Sequence, residues 1–381
     1  MKSARSGICT VLALGVVVAC APSAAMAAAH IVNPGESIQA AIDGASPGDV
    51  IKVMPGDYTE THGNPDAILI TKRLKLIGRP TSDGGVRLLP GAGNVNGIVV
   101  RGAEGALVDR VMIKGFTVEG FSNHGIWLEY ANKFKLKNNV SADNLHNGIF
   151  PTLSTNGLVK NNVAYGALDA GLWVEASENV RVIKNEVYNN PTGLELTISK
   201  NILVKANDIH DNTVGLGLYH PNGAGLPYPG PDEDWKIVGN KIYDNNFPNP
   251  VMGGLVGQLP TGIGTLLIGV DDVTMLKNEI TGNGFVGLAV VNWCDFNDCD
   301  ADPPVDGDPL PRNNTIVRNT ITGNGLDPSP DPENPNPFSP LAGDVIAILN
   351  AGILQFDDGS TGNCYSGNTI DMMINPSLPA C

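Results

Sequence analysis

Residues 125–219 contain five copies of one short segment, and this stretch decides the fold. The copies read GIWLE at 125–129, GIFPT at 148–152, GLWVE at 171–175, GLELT at 193–197 and GLGLY at 215–219. Their Gly-aliphatic pairs are 23, 23, 22 and 22 residues apart. Apolar and polar residues alternate within the copies, which is the pattern of a β-strand. The stretch therefore predicts a coil of short strands, in which like positions of successive turns stack about 4.8 Å apart.

A second marker, Asn followed two residues later by Val or Ile, runs in parallel with the first. It recurs at Asn138, Asn161, Asn185, Asn207, Asn240, Asn278, Asn319 and Asn368. Asn tolerates the left-handed backbone region, and its amide can bond to the turns above and below. We expect this column to form one corner of the coil.

The segment before the repeat has the features of a lid. Ser37 can cap a short helix over residues 38–43, and Ile38, Ala41 and Ile42 fall on one face of that helix. A coil of stacked turns needs its open end covered. We therefore predict an N-terminal capping helix.

The residues that follow resemble the start of a known superfamily. They read PGDVI at 47–51 and PGDYTE at 55–60, and Asn-rich turns come next. This order is similar to that of right-handed parallel β-helix proteins of the pectin-lyase-like superfamily, over nearly all of residues 30–381. Within it, the chain resembles bacterial exported parallel β-helix repeat proteins. Their relatives include polysaccharide lyases, mannuronan epimerases and periplasmic proteins that help to mature nitrous-oxide reductase. The resemblance implies an all-β solenoid and an action on polysaccharide.

Composition agrees with an all-β chain and narrows its partners. Of 381 residues, 46 are Gly and 28 are Pro, and only 17% are charged. Gly and Pro residues at this frequency interrupt helices, so the composition argues against a helical protein. The net charge of −15 disfavours nucleic acid as a partner, and also anionic lipid or a polyanionic sugar. We predict a monomer.

The amino terminus predicts export. Lys2 and Arg5 precede an apolar run over residues 8–20, and small residues end in Ala25-Met26-Ala27. This pattern predicts a signal peptide over residues 1–27 and one β-helix domain over residues 28–381. Residues 17–20 also resemble a bacterial lipobox, so the alternative is a lipoprotein anchored at Cys20. No later run predicts a transmembrane segment.

Four cysteines remain in the predicted mature chain, which suggests disulfides. The pairs that close the shortest loops are Cys294 with Cys299 and Cys364 with Cys381. Free thiols are the alternative.

The loop around the first cysteine pair is rich in oxygen ligands, and exported proteins meet calcium. We predict a calcium site there, with an acidic solvated loop as the alternative. Its candidate ligands are Asp295, Asp298, Asp300 and Asp302.

The strands with the Gly-aliphatic pair predict a groove. Insertions at 221–235, 246–261, 293–312 and 325–351 would rise from both edges of their sheet. Residues at the second and fourth places after Gly should point outward onto its floor. The candidate substrate-binding residues on or beside this floor are Asn123, His124, Trp127, Glu129, Phe150, Trp173 and Tyr219. Rings beside carboxylates suit a sugar chain. Alternatively, the rings stack on one another as a surface ladder.

Two pairs on this floor are candidates for catalysis. His146 and Asp169 should be neighbours on adjacent turns, as proton abstraction needs, although both could be structural corner residues. Glu175 and Glu195 should be close enough for a glycosidase pair, unless their spacing is coincidental. We therefore expect an exported carbohydrate-active or polysaccharide-binding protein, as a lyase, epimerase or hydrolase. The alternative is a non-catalytic surface or periplasmic module for adhesion.

Overall fold

The fold is a stack of short parallel strands. The computed structural model describes residues 27–79, 85–221, 225–227, 230, 233–295, 298–328, 331, 333, 335–336, 342–348, 361–372 and 379–381. The predicted signal peptide apart from Ala27, and the lipobox with Cys20, lie outside the described residues. No helix in the described part of the chain is long and apolar enough to cross a membrane.

Three long sheets form the walls of the coil, and every strand pair within them is parallel. In the described chain, the sheet that carries the Gly-aliphatic pairs, here called the Gly sheet, has ten strands. They are Asp66–Ile70, Asn96–Arg101, Ile126–Glu129, Ile149–Thr152, Ala170–Glu175, Thr192–Thr197, Val214–Tyr219, Ile263–Ile268, Val286–Val291 and Gly343–Ile348. The predicted coil of parallel strands is confirmed.

The second sheet has twelve strands among the described residues. They are Ala29–Val32, Val50–Val53, Lys75–Gly78, Met112–Lys114, Lys135–Lys137, Leu158–Lys160, Arg181–Ile183, Leu203–Lys205, Lys236–Val238, Thr274–Leu276, Thr315–Val317 and Cys364–Ser366. The third sheet has eleven. They are Gly56–Thr59, Val86–Leu89, Phe116–Glu119, Val140–Ala142, Val163–Tyr165, Glu186–Tyr188, Asp208–His210, Lys241–Tyr243, Glu279–Thr281, Thr320–Thr322 and Thr369–Ile370. A two-stranded sheet joins Val108–Asp109 to Ala131–Asn132.

The core consists of columns of inward side chains. Ile126 is in register with Ile149, which is in register with Leu172, and all three are fully buried. Residues between them, such as Trp127 and Glu129, face outward and stay partly exposed. The predicted alternation is therefore confirmed, and stacking of aliphatic columns supplies the hydrophobic stabilisation of each turn.

Asn side chains form ladders inside the coil. Asn162 Nδ2 donates to Asn185 Oδ1 at 2.9 Å, and Asn185 continues to Asn207 in the same way. The ladder contains Asn139 and Asn162, whereas the sequence pattern placed their neighbours Asn138 and Asn161 in this column. That placement was wrong by one residue. Asn138 and Asn161 occupy the adjoining corner with φ of 53° and 54°, a conformation that Asn tolerates better than most residues.

A second ladder was not anticipated. It joins Asn190, Asn212, Asn245, Asn283 and Asn324 through amide hydrogen bonds of 2.8–3.0 Å. These amides also satisfy buried backbone carbonyls, for example that of Val187. Two of the corners between the sheets are thus held by buried polar columns whose members support one another.

A short helix, α1, spans Ile38–Gly44. The Ser37 side chain accepts a hydrogen bond from the Ala40 amide, as the sequence predicted, and Ile38 and Ile42 are buried. An unforeseen contributor is Glu60, which is 2% exposed. Its carboxylate accepts from Ser37 Oγ at 2.6 Å and from the Ile38 amide at 2.7 Å. That the helix covers the open end of the coil stays a prediction.

We expect Glu60→Ala to lower the free energy of unfolding by about 2 kcal/mol, because it leaves the first helical amides, one of them buried, and the Ser37 hydroxyl without this acceptor. Urea denaturation of wild type and variant measures the change. Exposed Glu104 provides the control, and Glu104→Ala should change stability by less than about 0.5 kcal/mol. Equal losses in both variants would contradict the role of Glu60.

The late insertions build a second apolar layer outside the coil. A short helix, α2, spans Gly254–Gln258, and a 3-10 turn spans Trp293–Asp295. Leu259 and Trp293 pack with outward residues of the Gly sheet such as Tyr219 and Val291. The stretch predicted as a loop at 325–351 differs from the prediction, because it contains the Gly-sheet strand Gly343–Ile348.

Both predicted disulfides are present. Cys294 is bonded to Cys299, and Cys364 is bonded to Cys381. The first closes the loop after the 3-10 turn, and the second ties the end of the chain to the last strand of the twelve-stranded sheet. Disulfides of this kind are typical of exported proteins.

Candidate functional site

A cleft of about 600 Å³ lies over the middle of the Gly sheet. Its floor contains outward side chains of four turns, and its walls come from the insertions. The floor residues are His146, Asp169, Trp173, Glu175, Glu195, Thr197 and Tyr219. Wall residues are Pro221 and Leu226 from one insertion, Val251, Gly253, Gly254 and Val256 from the next, and Asp302 from the third. Three of the four predicted insertions therefore contribute to one concave surface.

His146 and Asp169 are neighbours on the floor, as the repeat predicted. His146 Nε2 lies 3.4 Å from Asp169 Oδ2, and its Nδ1 lies 3.1 Å from Asn123 Oδ1. Burial raises the pKa of Asp169, and the nearby His146 charge partly offsets that effect. The histidine is thus held between an amide and a carboxylate, a setting in which an imidazole can exchange protons.

Two further carboxyl groups lie on the same floor. Burial raises the pKa of Glu175 to about 7, although a 3.0 Å hydrogen bond from Thr152 Oγ1 works in the opposite direction. Glu195 is 6% exposed, and burial together with the charges of Asp169 and Glu175 raises its pKa well above the usual range. Carboxyl groups that keep their protons near neutral pH can act as general acids or as hydrogen-bond donors.

The aromatic residues divide into stacked and available rings. Phe150 is 6% exposed and stacks on Trp173, with ring centroids 4.6 Å apart. This contact matches the surface-ladder alternative for Phe150, which has little free ring surface. Trp173 stays partly exposed in the cleft, and its Nε1 donates to Thr197 Oγ1 at 2.8 Å. Trp127 lies outside the cleft on an earlier turn, and a ligand role for it stays a prediction.

His124 is held inside a ring cluster. It is 7% exposed and stacks on His146 with centroids 4.8 Å apart, and it also contacts Trp127 and Phe150. Burial, with a smaller effect of His146, lowers the pKa of His124 to about 3. His124 is therefore neutral at physiological pH and helps to position His146.

Arg101 lies at the end of an earlier strand of the Gly sheet, outside the cleft, and was not among the predicted residues. It pairs in register with Glu129, and its guanidinium lies 4.9 Å from the centroid of the Trp127 ring. Arg101 Nη1 contacts Asp66 Oδ2 at 2.7 Å, and Nε contacts Glu129 Oε2 at 3.3 Å. The available signal was Gly97-Ile98, an earlier copy of the Gly-aliphatic pair that stands 28 residues before Gly125. Its two carboxylate partners offset the charge of Arg101.

Tyr219 lies at the buried end of the floor. It is 1% exposed, and burial raises its pKa. In the described chain, Tyr219 Oη, Glu195 Oε2 and Thr192 Oγ1 are buried without a hydrogen bond of good geometry. Tyr219 therefore contributes to the polar base of the cleft, with little ring surface for a sugar.

The predicted calcium ligands do not come together among the described residues, where no three metal-binding side chains form a cluster. Residues 296 and 297 of that loop lie outside the described part of the chain. Asp302 faces the cleft, and its backbone carbonyl accepts from Trp293 Nε1 at 2.9 Å. Calcium binding at Asp295, Asp298, Asp300 and Asp302 stays a prediction.

Comparisons with known proteins agree with this architecture. Residues 90–258 match the family model described as periplasmic copper-binding protein (NosD). The search of curated proteins found no match.

Solved structures of other proteins are similar over most of the chain. The A-module of the mannuronan C-5 epimerase AlgE4 from Azotobacter vinelandii has a TM-score of 0.59 and 18% identity, covering 90% of this chain and 94% of that chain. The Dettilon tailspike protein (gp208) has a TM-score of 0.51 and 16% identity, covering 92% of this chain and 68% of that chain. At these identities the similarity concerns the fold. Together with the three all-parallel sheets, it identifies the chain as a right-handed parallel β-helix protein.

Proposed function

We propose that this exported protein binds a neutral polysaccharide in the cleft and hydrolyses a glycosidic bond there. The observation that carries the proposal is that Glu175, with a pKa raised to about 7, and Asp169, beside His146, line one cleft. Glycoside hydrolysis needs one carboxyl group that holds a proton and a second that is ionised.

The two carboxyl groups suit different roles. Glu175 keeps its proton up to about neutral pH and is the general acid that protonates the leaving oxygen. Burial raises the pKa of Glu175, and the charge of Asp169 adds to this effect. The proposal therefore assigns the ionised role to Asp169. With His146 at 3.4 Å, Asp169 is the base that activates water or the nucleophile that attacks the sugar. Glu195 is 6% exposed and lies at the base of the cleft, so it takes neither of these two roles.

The charge of the cleft favours a neutral substrate. Its described lining contains four acidic residues and a histidine, but neither Lys nor Arg. A uronate would add another carboxylate to this group without a cation to neutralise it, which a lyase or epimerase reaction requires. The proposal therefore favours hydrolysis over those two activities.

Several features support a polysaccharide as ligand. Trp173 offers a ring for the apolar face of a sugar, and the partly exposed carboxyl groups of Asp169 and Glu175 offer hydroxyl-binding groups beside it. Asn123 contacts His146 at 3.1 Å and lies on the same turn as Trp127, and these two residues would extend the binding surface for a chain. The name of the similar epimerase also refers to a polysaccharide, mannuronan.

Export is supported independently of the cleft. The two disulfides and the amino-terminal pattern agree with a non-cytosolic location. The matching family model is described as periplasmic.

The copper in that family description does not fit the residues described here. His124 and His146 come together, with ring centroids 4.8 Å apart. No third His, Cys, Asp or Glu completes a metal-binding group with them within the described chain. Two imidazoles are fewer ligands than a copper site normally uses. No step of the proposed reaction passes through copper.

We expect the purified protein to release reducing ends from at least one neutral polysaccharide in a panel that also contains alginate, pectate and chondroitin. Reducing-end assays detect hydrolysis, and absorbance of unsaturated products detects lyase action. Glycan binding without turnover would support the non-catalytic alternative, and unsaturated products from a uronate polymer would overturn the proposed hydrolysis.

A further inference from the structure

A second concave surface lies away from the cleft and has the opposite charge. It is a groove of about 660 Å³ at the edge of the twelve-stranded sheet. We call it the basic groove, because its lining contains six cationic side chains. They are Arg73, Lys75, Arg110, Lys133, Lys135 and Arg181. No Asp or Glu is among its described lining residues. The groove is therefore a local region of positive charge in a chain whose net charge is −15.

Most of these cations have no acidic partner. Arg110 Nη1 contacts Asp109 Oδ2 at 2.7 Å. For the other five, no carboxylate of the described residues lies within ion-pair distance. All six side chains are exposed. Their charges repel one another, and an anionic ligand would relieve this repulsion.

The fold arranges the cations in two rows along the coil. Lys75 and Lys135 are both in register with Met112 on the strand between them, and Arg181 follows two strands later. Arg110 and Lys133 occupy the adjoining corner with φ near 53°. Strands are about 4.8 Å apart, so the rows extend over about 19 Å.

We propose that the basic groove binds an extended acidic polysaccharide, at a site separate from the cleft. Cations that recur along the stacked strands suit a linear polymer whose charges also repeat. Carboxylates on successive sugar rings have this chemistry, and Lys and Arg can bind them in an exposed groove.

Other polyanions fit the groove less well. Single-stranded nucleic acid needs exposed rings on which bases stack, but the ring at the groove, Phe134, is fully buried. A flat bilayer would meet projecting side chains more readily than a concave surface. The net charge had disfavoured any polyanionic sugar, but a ligand meets the local charge of the groove, where five of the six cations have no carboxylate of the described residues within ion-pair distance.

The test is isothermal titration calorimetry of the full mature protein with oligogalacturonate as the probe. We expect binding at about 50 mM NaCl that weakens strongly at about 300 mM, because exposed ion pairs are screened. The double variant Lys133→Glu/Lys135→Glu should weaken binding at least about tenfold. Lys133→Gln/Lys135→Gln should give a smaller loss in the same direction.

The matched control is Lys205→Glu/Lys241→Glu, which changes net charge equally at exposed positions outside the groove. It should bind like wild type, and so should the cleft variant Glu175→Gln, which separates this site from the proposed hydrolysis. Equal losses in control and groove variants, or no binding at low salt, would overturn the proposal. Tighter binding to polyglutamate or to anionic vesicles would also overturn it, in favour of an acidic peptide or a membrane.

Discussion

Replacing Glu175 by Gln should reduce glycan hydrolysis by about 10²–10⁴-fold, because the amide cannot donate a proton to the leaving oxygen. The substitution keeps the size of the side chain and can keep the 3.0 Å contact with Thr152 Oγ1, so the cleft should retain its shape. The measurement is kcat and KM on the substrate identified by the panel. We expect the loss in kcat, with KM nearly unchanged.

The control for this variant is Glu279→Gln, an exposed residue of the eleven-stranded sheet that should leave both constants unchanged. Nearly full activity of Glu175→Gln would remove Glu175 from the mechanism. A leaving group that needs no protonation, such as a nitrophenolate, should partly restore the rate of the variant. Such rescue distinguishes a missing acid from a damaged cleft.

The pH dependence of the wild-type enzyme follows from the same group. Glu175 must be protonated to act, and burial raises its pKa to about 7. Activity should therefore fall as pH rises through about 7, and Glu175→Gln should lack this alkaline limb. Stability should fall over a similar range. Glu175 holds its proton more tightly in the fold than in the unfolded chain, so the fold loses stability as pH rises from the usual glutamate range to about 7.

The sequence could predict the coil and the side-chain neighbours that depend only on its period. His146 and Asp169 are adjacent because 23 residues separate them, which is one turn. The period carries no information about what covers a residue. The pKa of Glu195 is raised because the residue is buried at the base of a cleft whose walls are insertions. The insertions are not part of the repeat, so the period could not predict where they lie.

Arg101 and the basic groove were missed for a related reason. The turn that contains Arg101 is followed by a spacing of 28 residues, so it fell outside the counted repeats. Arg73 and Lys75 of the groove lie in early turns of irregular length, where the 22–23-residue period is hard to recognise. The cations are seen to align only when strand pairing gives the register of each turn. An insertion changes the number of residues between two turns but does not change which side chains are stacked.

Where two Asn residues are adjacent, the sequence pattern does not show which of them belongs to the ladder. There the prediction chose the wrong one. Both Asn161 and Asn162 precede an apolar residue at short range. The structure separates them by environment. Asn161 is an exposed corner residue with φ of 54°, and Asn162 is 1% exposed within the ladder. Neighbouring positions of identical residue type should therefore respond very differently to mutation.

We expect Asn162→Ala to lower the free energy of unfolding by about 3 kcal/mol or more, because it leaves several buried polar groups unpaired. Asn162 Oδ1 accepts from the amide and the side chain of Asn139, both at 3.0 Å, and its Nδ2 donates to the Leu136 carbonyl at 3.1 Å. Asn161→Gly should change stability by less than about 1 kcal/mol, since glycine adopts a positive φ without strain. Urea denaturation followed by circular dichroism compares the two variants with wild type. Comparable losses would mean that the amides of the ladder contribute little beyond filling space, and that the aliphatic columns alone hold the turns in register.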